Sequence, residues 1–232
     1  MSLHSPYRAV LFDLDGTLLD TVPDLACAAN RMLGELHRPE LSEALVSTFV
    51  GRGITKLVER VLAGSIDGTV PADQLQHGLA IFERCYAEES GQRSRPYPGV
   101  TAGLDRLAAA AMPMAVVTNK AARFTLELLE RVGLKSYFKA VVSGDTLAVR
   151  KPHPEPVRHA CRQLGVSPAD ALFIGDSRHD VEAGLGAGCA VWCVPYGYNE
   201  GVSVESLKCQ RIVPDIEVAA NLILGSEVTT VT

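Results

Sequence analysis

Asp13 and Asp15 stand two residues apart at the end of the apolar run Val10-Leu11-Phe12, with Gly16 and Thr17 directly after them. Side chains alternate along an extended chain, so two carboxylates in this register reach one ligand while the extension persists. Like charges this close are tolerable mainly when a cation or a shared proton offsets their repulsion, and that points to a divalent metal. Gly16 lets the backbone turn where other residues resist, and leaves room for an anion to approach main-chain N–H groups. An isolated Asp-x-Asp before a glycine is also what a solvated turn looks like. Partners elsewhere in the chain decide between the two readings.

Three later segments supply such partners. Val116-Val117 runs into Thr118-Asn119; the chain beyond Ser143 reaches Lys151-Pro152; Leu172-Phe173-Ile174 runs into Gly175-Asp176-Ser177, with Asp180 one turn on. Hydroxyl, ammonium and carboxylates in this combination suit phosphoryl transfer, where charge spread over three oxygens has to be neutralised. One aspartate can form an aspartyl-phosphate and a second can protonate the leaving oxygen, then deprotonate water. Oxygen-only ligands favour Mg²⁺ over zinc. Lys151 would offset repulsion among the carboxylates and keep Asp13 ionised.

The elements that must position these groups follow from periodicity. Val10-Leu11-Phe12 reads as a buried strand of a parallel sheet, whose carboxyl end opens onto a ligand crevice. Residues 20–92 read as helical throughout, with runs at Asp20–Leu36, Ser42–Phe49, from Ile54 to Leu62 and at Ala72–Glu89, and with the loop Gly51-Arg52-Gly53 between the second and third. From Val100 helices alternate with the strands Ala115–Thr118, Ala140–Ser143, Ala171–Ile174 and Ala190–Val194. The expected fold is α/β: a Rossmann-like, doubly wound parallel sheet carrying an inserted α-helical cap. The core would comprise residues 1–19 and 96–232 and the cap residues 20–95, with a frayed tail from Gly225.

Bulk composition narrows the function classes. The 232 residues are 47% hydrophobic with net charge −5, mixed along the chain, so neither nucleic acid nor an anionic membrane is the expected partner. Six scattered cysteines without a Cys-x-x-Cys pair read as reduced core residues. Residues 1–8 lack a signal-peptide core, and no apolar run approaches the ~20 residues that span a bilayer. A cytoplasmic protein, monomer or homodimer, is expected.

Asp13-x-Asp15-x-Thr17, Thr118-Asn119, Lys151-Pro152 and Gly175-Asp176-Ser177-x-x-Asp180 together resemble the four motifs of the haloacid dehalogenase-like superfamily of phosphatases, in that family's order and spacing. The resemblance implies that Asp13 is nucleophile and Mg²⁺ ligand, and that Asp15 is the acid/base and lends a backbone carbonyl to the metal. It implies that Thr118, Lys151 and backbone donors near Leu14 and Asn119 hold the phosphoryl group. Asp176 would bind the metal, and Asp180 would ligate it or order its waters. The helical insertion resembles the family's cap, from which part of the specificity comes.

Gly51-Arg52-Gly53, Ser143-Gly144-Asp145-Thr146-Leu147, Lys151-Pro152-His153-Pro154 and Pro195-Tyr196-Gly197-Tyr198-Asn199 are similar to segments of the family's phosphoglycolate phosphatases. On this reading Arg52, or the backbone donors beside it, meets the carboxylate of a small acidic substrate; the alternative is that Arg52 is a solvated loop charge. His153 and His179 read as solvated loop histidines, Asp145 as a turn or cap residue, and Trp192 as strand packing. The competing functions are a phosphatase for a sugar phosphate, a phosphomutase with the same aspartyl-phosphate, and a catalytically dead binding domain. A haloacid dehalogenase fits less well, because Asp15 and a metal site suit phosphoryl chemistry. The dead domain predicts the loss of a motif residue, and all are present.

Overall fold

The structure, a computed structural model, describes residues 5–225. Strand β1 (Ala9–Phe12) ends at the aspartate pair, and a two-residue strand β2 (Leu19–Asp20) leads away from it. Four helices follow, α1 (Val22–Glu35), α2 (Glu43–Ser47), α3 (Ile54–Ala63) and α4 (Ala72–Glu89), before β3 (Arg95–Pro96). Helices and strands then alternate: α5 (Val100–Ala109), β4 (Met114–Val117), α6 (Ala122–Arg131), β5 (Ala140–Val142), α7 (Glu155–Leu164), β6 (Ala171–Gly175), α8 (Arg178–Ala187), β7 (Ala190–Cys193), β8 (Arg211–Ile212) and α9 (Ile216–Leu224).

The main sheet has the order β5-β4-β1-β6-β7-β8, and every neighbouring pair is parallel. Alternation along the strands divides the core between the two faces. Val10, Phe12, Leu172 and Ile174 pack on the side that carries Leu104, Leu128 and Ile216 of α5, α6 and α9. Leu11 and Phe173 pack on the side that carries Val157 and Val181 of α7 and α8. With both faces covered, β1 has no exposed residue, which explains its uninterrupted apolar sequence. The chain winds away from β1 in both directions, toward β4 and toward β6, so a crevice opens at the carboxyl end of β1.

Helices α1, α3 and α4 enclose a cluster of their own around Met32, Val58 and Phe82. Their two connections to the sheet run side by side: β2 and β3 pair antiparallel, Leu19 opposite Pro96 and Asp20 opposite Arg95. Asp24, fully buried in the first turn of α1, accepts four hydrogen bonds from the returning segment: Gly91 N, Arg93 N, Ser94 N and Ser94 Oγ, at 2.5 to 3.0 Å. A buried carboxylate so fully satisfied fixes where the two connections meet.

The doubly wound parallel architecture agrees with the sequence reading, and the long strands and helices lie within a few residues of their expected bounds. The paired strands β2 and β3 and the edge strand β8 were not anticipated. Each is two residues long, too short to show a period. Residues 226–232, the rest of the expected frayed tail, lie outside the described residues. Among the described residues the cysteines are free, and no helix is long and apolar enough to cross a membrane.

Candidate active site

The N–H of Asp13 donates to Ile174 O at 2.9 Å, extending the β1–β6 ladder by one residue and bringing the end of β1 beside the end of β6. The chain then turns at Gly16, with φ +88°, and a Cβ there would stand 2.6 Å from Asp176 Oδ2. Both the turn and the close approach require glycine. Thr17 Oγ1 donates to Asp176 Oδ1 at 2.8 Å, and Tyr198 N donates to Asp176 Oδ2 at 2.7 Å. Asp176 is thereby aimed from two sides.

Lys151 Nζ lies 2.7 Å from Asp13 Oδ1 and 2.6 Å from Asp180 Oδ1. The other Asp180 oxygen accepts from Ser177 N at 3.0 Å, Ser177 Oγ at 2.7 Å and Asp176 N at 3.3 Å, capping α8. Asp15 turns to a different partner, accepting from Lys120 Nζ at 3.0 Å and from Thr21 Oγ1 at 2.7 Å. Asn119 Nδ2 donates to Lys151 O and to Gly51 O, tying three loops together. Asp13, Asp15, Thr118, Asn119 and Lys120 line a cavity of about 40 Å³ whose remaining walls are Leu25, Val50, Gly51, Gly53, Ile54 and Leu57.

Electrostatics single out the same groups. Burial, then the charge of Asp180, pushes the Asp13 carboxyl well above its ordinary range, against the pull of Lys151. Burial, then Asp180, raises Asp176 to about 7. Asp13, Asp176 and Asp180 each offer an oxygen within 4.8 Å of the others. All-oxygen donors with mutually repelling charge fit a hard divalent cation, which would relieve that repulsion. Asp180 is the most heavily engaged of the three, with one oxygen paired to Lys151 and the other accepting three hydrogen bonds.

Arg52 does not line the cavity. Its guanidinium turns to Glu200, with Nε 2.9 Å from Oε1, and Nε also donates to His179 Nε2 at 3.2 Å. It borders a separate open cleft with Arg150, Arg178 and His179. His179, expected in solvent, is only 5% exposed, and burial pushes its pKa down. The loop packed over α8 accounts for the difference. His153 is exposed as expected, and Asp145 accepts from Ala122 N at the start of α6. Lys120, Thr21 and Glu200 escaped the sequence reading, and Tyr198 entered it only as part of a family-like segment. Lys120 had a signal, its place directly after Thr118-Asn119; Thr21 reaches Asp15 from six residues on, while Tyr198 and Glu200 act across long stretches of chain.

The loop after β7 links the site to the helical segment. Tyr198 holds Asp176 through its N–H, while its hydroxyl accepts from Thr21 N and Val22 N and donates to Asp20 Oδ1. A Cβ at Gly197 would stand 2.1 Å from Asp176 Cβ, an atom that cannot swing aside. Gly197→Ala is therefore expected to displace Asp176 and cut turnover roughly 10- to 100-fold, the scale of an ångström-size misplacement. A steady-state assay beside a circular dichroism spectrum checks this; unchanged turnover would mean that the loop yields.

A sequence model of haloacid dehalogenase-like hydrolases matches residues 10–194. A phosphoglycolate phosphatase of Nitrosospira multiformis is 49% identical over 95% of this chain and 97% of its own length, and one of Thiobacillus denitrificans is 46% identical over 94% and 96%. The crystal structure of a predicted phosphoglycolate phosphatase from Haemophilus somnus superposes with a TM-score of 0.88 at 33% identity, covering 94% of this chain and 98% of the other. The chain belongs to the haloacid dehalogenase-like hydrolases. Within that family it is an enzyme of the phosphatase kind.

Proposed function

We propose that this enzyme hydrolyses 2-phosphoglycolate to glycolate and phosphate, with Mg²⁺, through an aspartyl-phosphate on Asp13. The observation that carries the reading is the cavity, in which Asp13 and Asp15 share a lining with Thr118, Lys120 and the glycine-loop residues Gly51 and Gly53. The names of the relatives point the same way.

Asp13 attacks phosphorus and the bond to the leaving oxygen breaks, while Asp15 gives that oxygen its proton. Asp15 then takes a proton from the water that cleaves the aspartyl-phosphate. Lys151 and the Thr118 hydroxyl bracket the transferring oxygens, with backbone N–H groups near Leu14 and Asn119. Asp13, Asp176 and the Asp15 carbonyl would hold Mg²⁺, with Asp180 ordering Asp176 and Lys151 around it. When bound, the ion supplies charge neutralisation at the phosphoryl oxygens. Residues 20–95 act as a cap that excludes water, hinged at β2 and β3. Of the two cap-loop candidates for the substrate carboxylate, the backbone at Gly51 and Gly53 borders the cavity, whereas Arg52 is engaged by Glu200. The free thiols suit the reducing cytoplasm.

Phosphate release from 2-phosphoglycolate, several sugar phosphates and a pyrophosphate, with Mg²⁺ and with chelator, tests the reading. A Mg²⁺-dependent preference for 2-phosphoglycolate is expected. Preference for a sugar phosphate would reject the substrate, and transfer to a sugar without phosphate release would make the enzyme a mutase.

A further inference from the structure

We propose that Lys120 recognises the substrate's second anionic group and thereby selects phosphomonoesters that carry a carboxylate. The inference rests on the reading of a small acidic phosphate ester as substrate, and names the residue that makes the acid end matter.

Of the side chains that line the cavity, Asp13 and Asp15 are acidic, Thr118 and Asn119 are neutral, and Leu25, Val50, Ile54 and Leu57 are apolar. Lys120 is the one cation among the described residues that line it. The phosphoryl group is committed to Asp13, which pairs with Lys151. A carboxylate two atoms away has hydrocarbon, the backbone at Gly51 and Gly53 and the Lys120 ammonium within the lining. An unpaired carboxylate against leucine and isoleucine is costly, and of these groups only the ammonium offers it a full counter-charge.

Lys120 is placed and charged for this role. It is 4% exposed, and its ammonium donates one hydrogen bond, to Asp15 Oδ1, although an ammonium has three donors. The Tyr86 ring, from α4, lies beside it with the centroid 4.9 Å from Nζ. Burial works against its charge, but Asp15 and Tyr86 outweigh burial, and its pKa is held above the ordinary lysine value. Arg52 is excluded by position: it faces Glu200 and a different cleft. Lys120 thus lines the cavity beside the acid/base, where a substrate that ends in a methyl would leave its remaining donors unused and one that ends in a hydroxyl would accept from them without a counter-charge.

The test compares kcat and KM for 2-phosphoglycolate and 2-hydroxyethyl phosphate, an ester of similar size with a neutral hydroxyl in place of the carboxylate. For the wild-type enzyme a strong preference for 2-phosphoglycolate is expected. Lys120→Met should reduce that preference roughly 10- to 100-fold, the worth of one charge-assisted hydrogen bond, chiefly through KM for the carboxylate ester. Lys120→Arg should restore part of it. Lys120→Gln, polar and close in length, carries the same expectation if the methionine variant does not fold. An equal fall for both esters would overturn the inference, since Lys120 would then act only through Asp15, while the substrate reading would stand. No preference in the wild-type enzyme would instead remove the substrate reading itself.

Discussion

Phosphate release by the Asp13→Asn variant is expected to fall roughly 10⁴- to 10⁶-fold, the scale on which enzymes lose a nucleophile. Its melting temperature in chelator should stay level or rise. The two outcomes have one physical source. Asp13 is buried, faces the charge of Asp180 and Asp176, and is offset by a lysine that it shares with Asp180. Its carboxyl is held well above the ordinary range in the folded protein, so ionisation favours the unfolded chain. The sign follows: the contribution to stability is fully present below the unfolded carboxylate value and is lost as pH rises through the folded one. Asparagine removes that loss and keeps the shape, while Lys151 retains Asp180. Single-turnover phosphate release and thermal melts with and without Mg²⁺ check both halves. An active variant would move the nucleophile to another residue, and a sharply destabilised one would mean that the Lys151 pair, not the repulsion, dominates at this position.

What the sequence discloses about such a site depends on how far apart its partners lie. Three of the four motifs are legible because each joins an apolar strand to polar residues within a few positions, and parallel strands deliver their carboxyl ends to one edge; Lys151-Pro152, in the long loop after β5, is legible by its order among them. The roles inside the cluster are less legible. Asp13 and Asp15 share a register, yet one faces Lys151 and the other Lys120 and Thr21. Asp180, which the family resemblance makes a metal ligand or an orderer of its waters, is also engaged by Lys151 and the start of α8. Arg52, read as meeting a substrate carboxylate or solvent, pairs in the structure with Glu200, 148 residues away. Nothing local in Tyr198-Asn199-Glu200-Gly201 announces an acid bound for the helical segment. The backbone does so only in three dimensions, where Asn199 and Glu200 adopt φ +29° and +51° without being glycine.

Glu200 is the basis of the largest expected change in stability. Its side chain is almost enclosed and receives Arg60 Nη2 at 2.6 Å, Arg178 Nη2 at 2.8 Å and Arg52 Nε at 2.9 Å. Arg60, on α3, is 2% exposed and otherwise bonded only to the carbonyls of Ile66 and Phe49. Those carbonyls take two of its five N–H donors and none of its charge. Glu200→Gln leaves a guanidinium buried without a counter-charge, and a loss of about 3–5 kcal/mol is expected, as when one partner of a buried pair is removed. Adding Arg60→Met should return part of that loss, because the uncompensated charge goes with it, and the double-mutant cycle measures the coupling. The pH dependence supplies an independent sign. Burial raises the Glu200 carboxyl, but Arg60 and Arg52 outweigh it and hold it below the usual 4.5. Its contribution is therefore present above the unfolded value and lost as pH falls through the folded one. Denaturant melts of wild type and Glu200→Gln should differ most near neutrality and converge in acid. Parallel curves at every pH would show that the loop's shape, rather than its charge, joins the helical segment to the sheet.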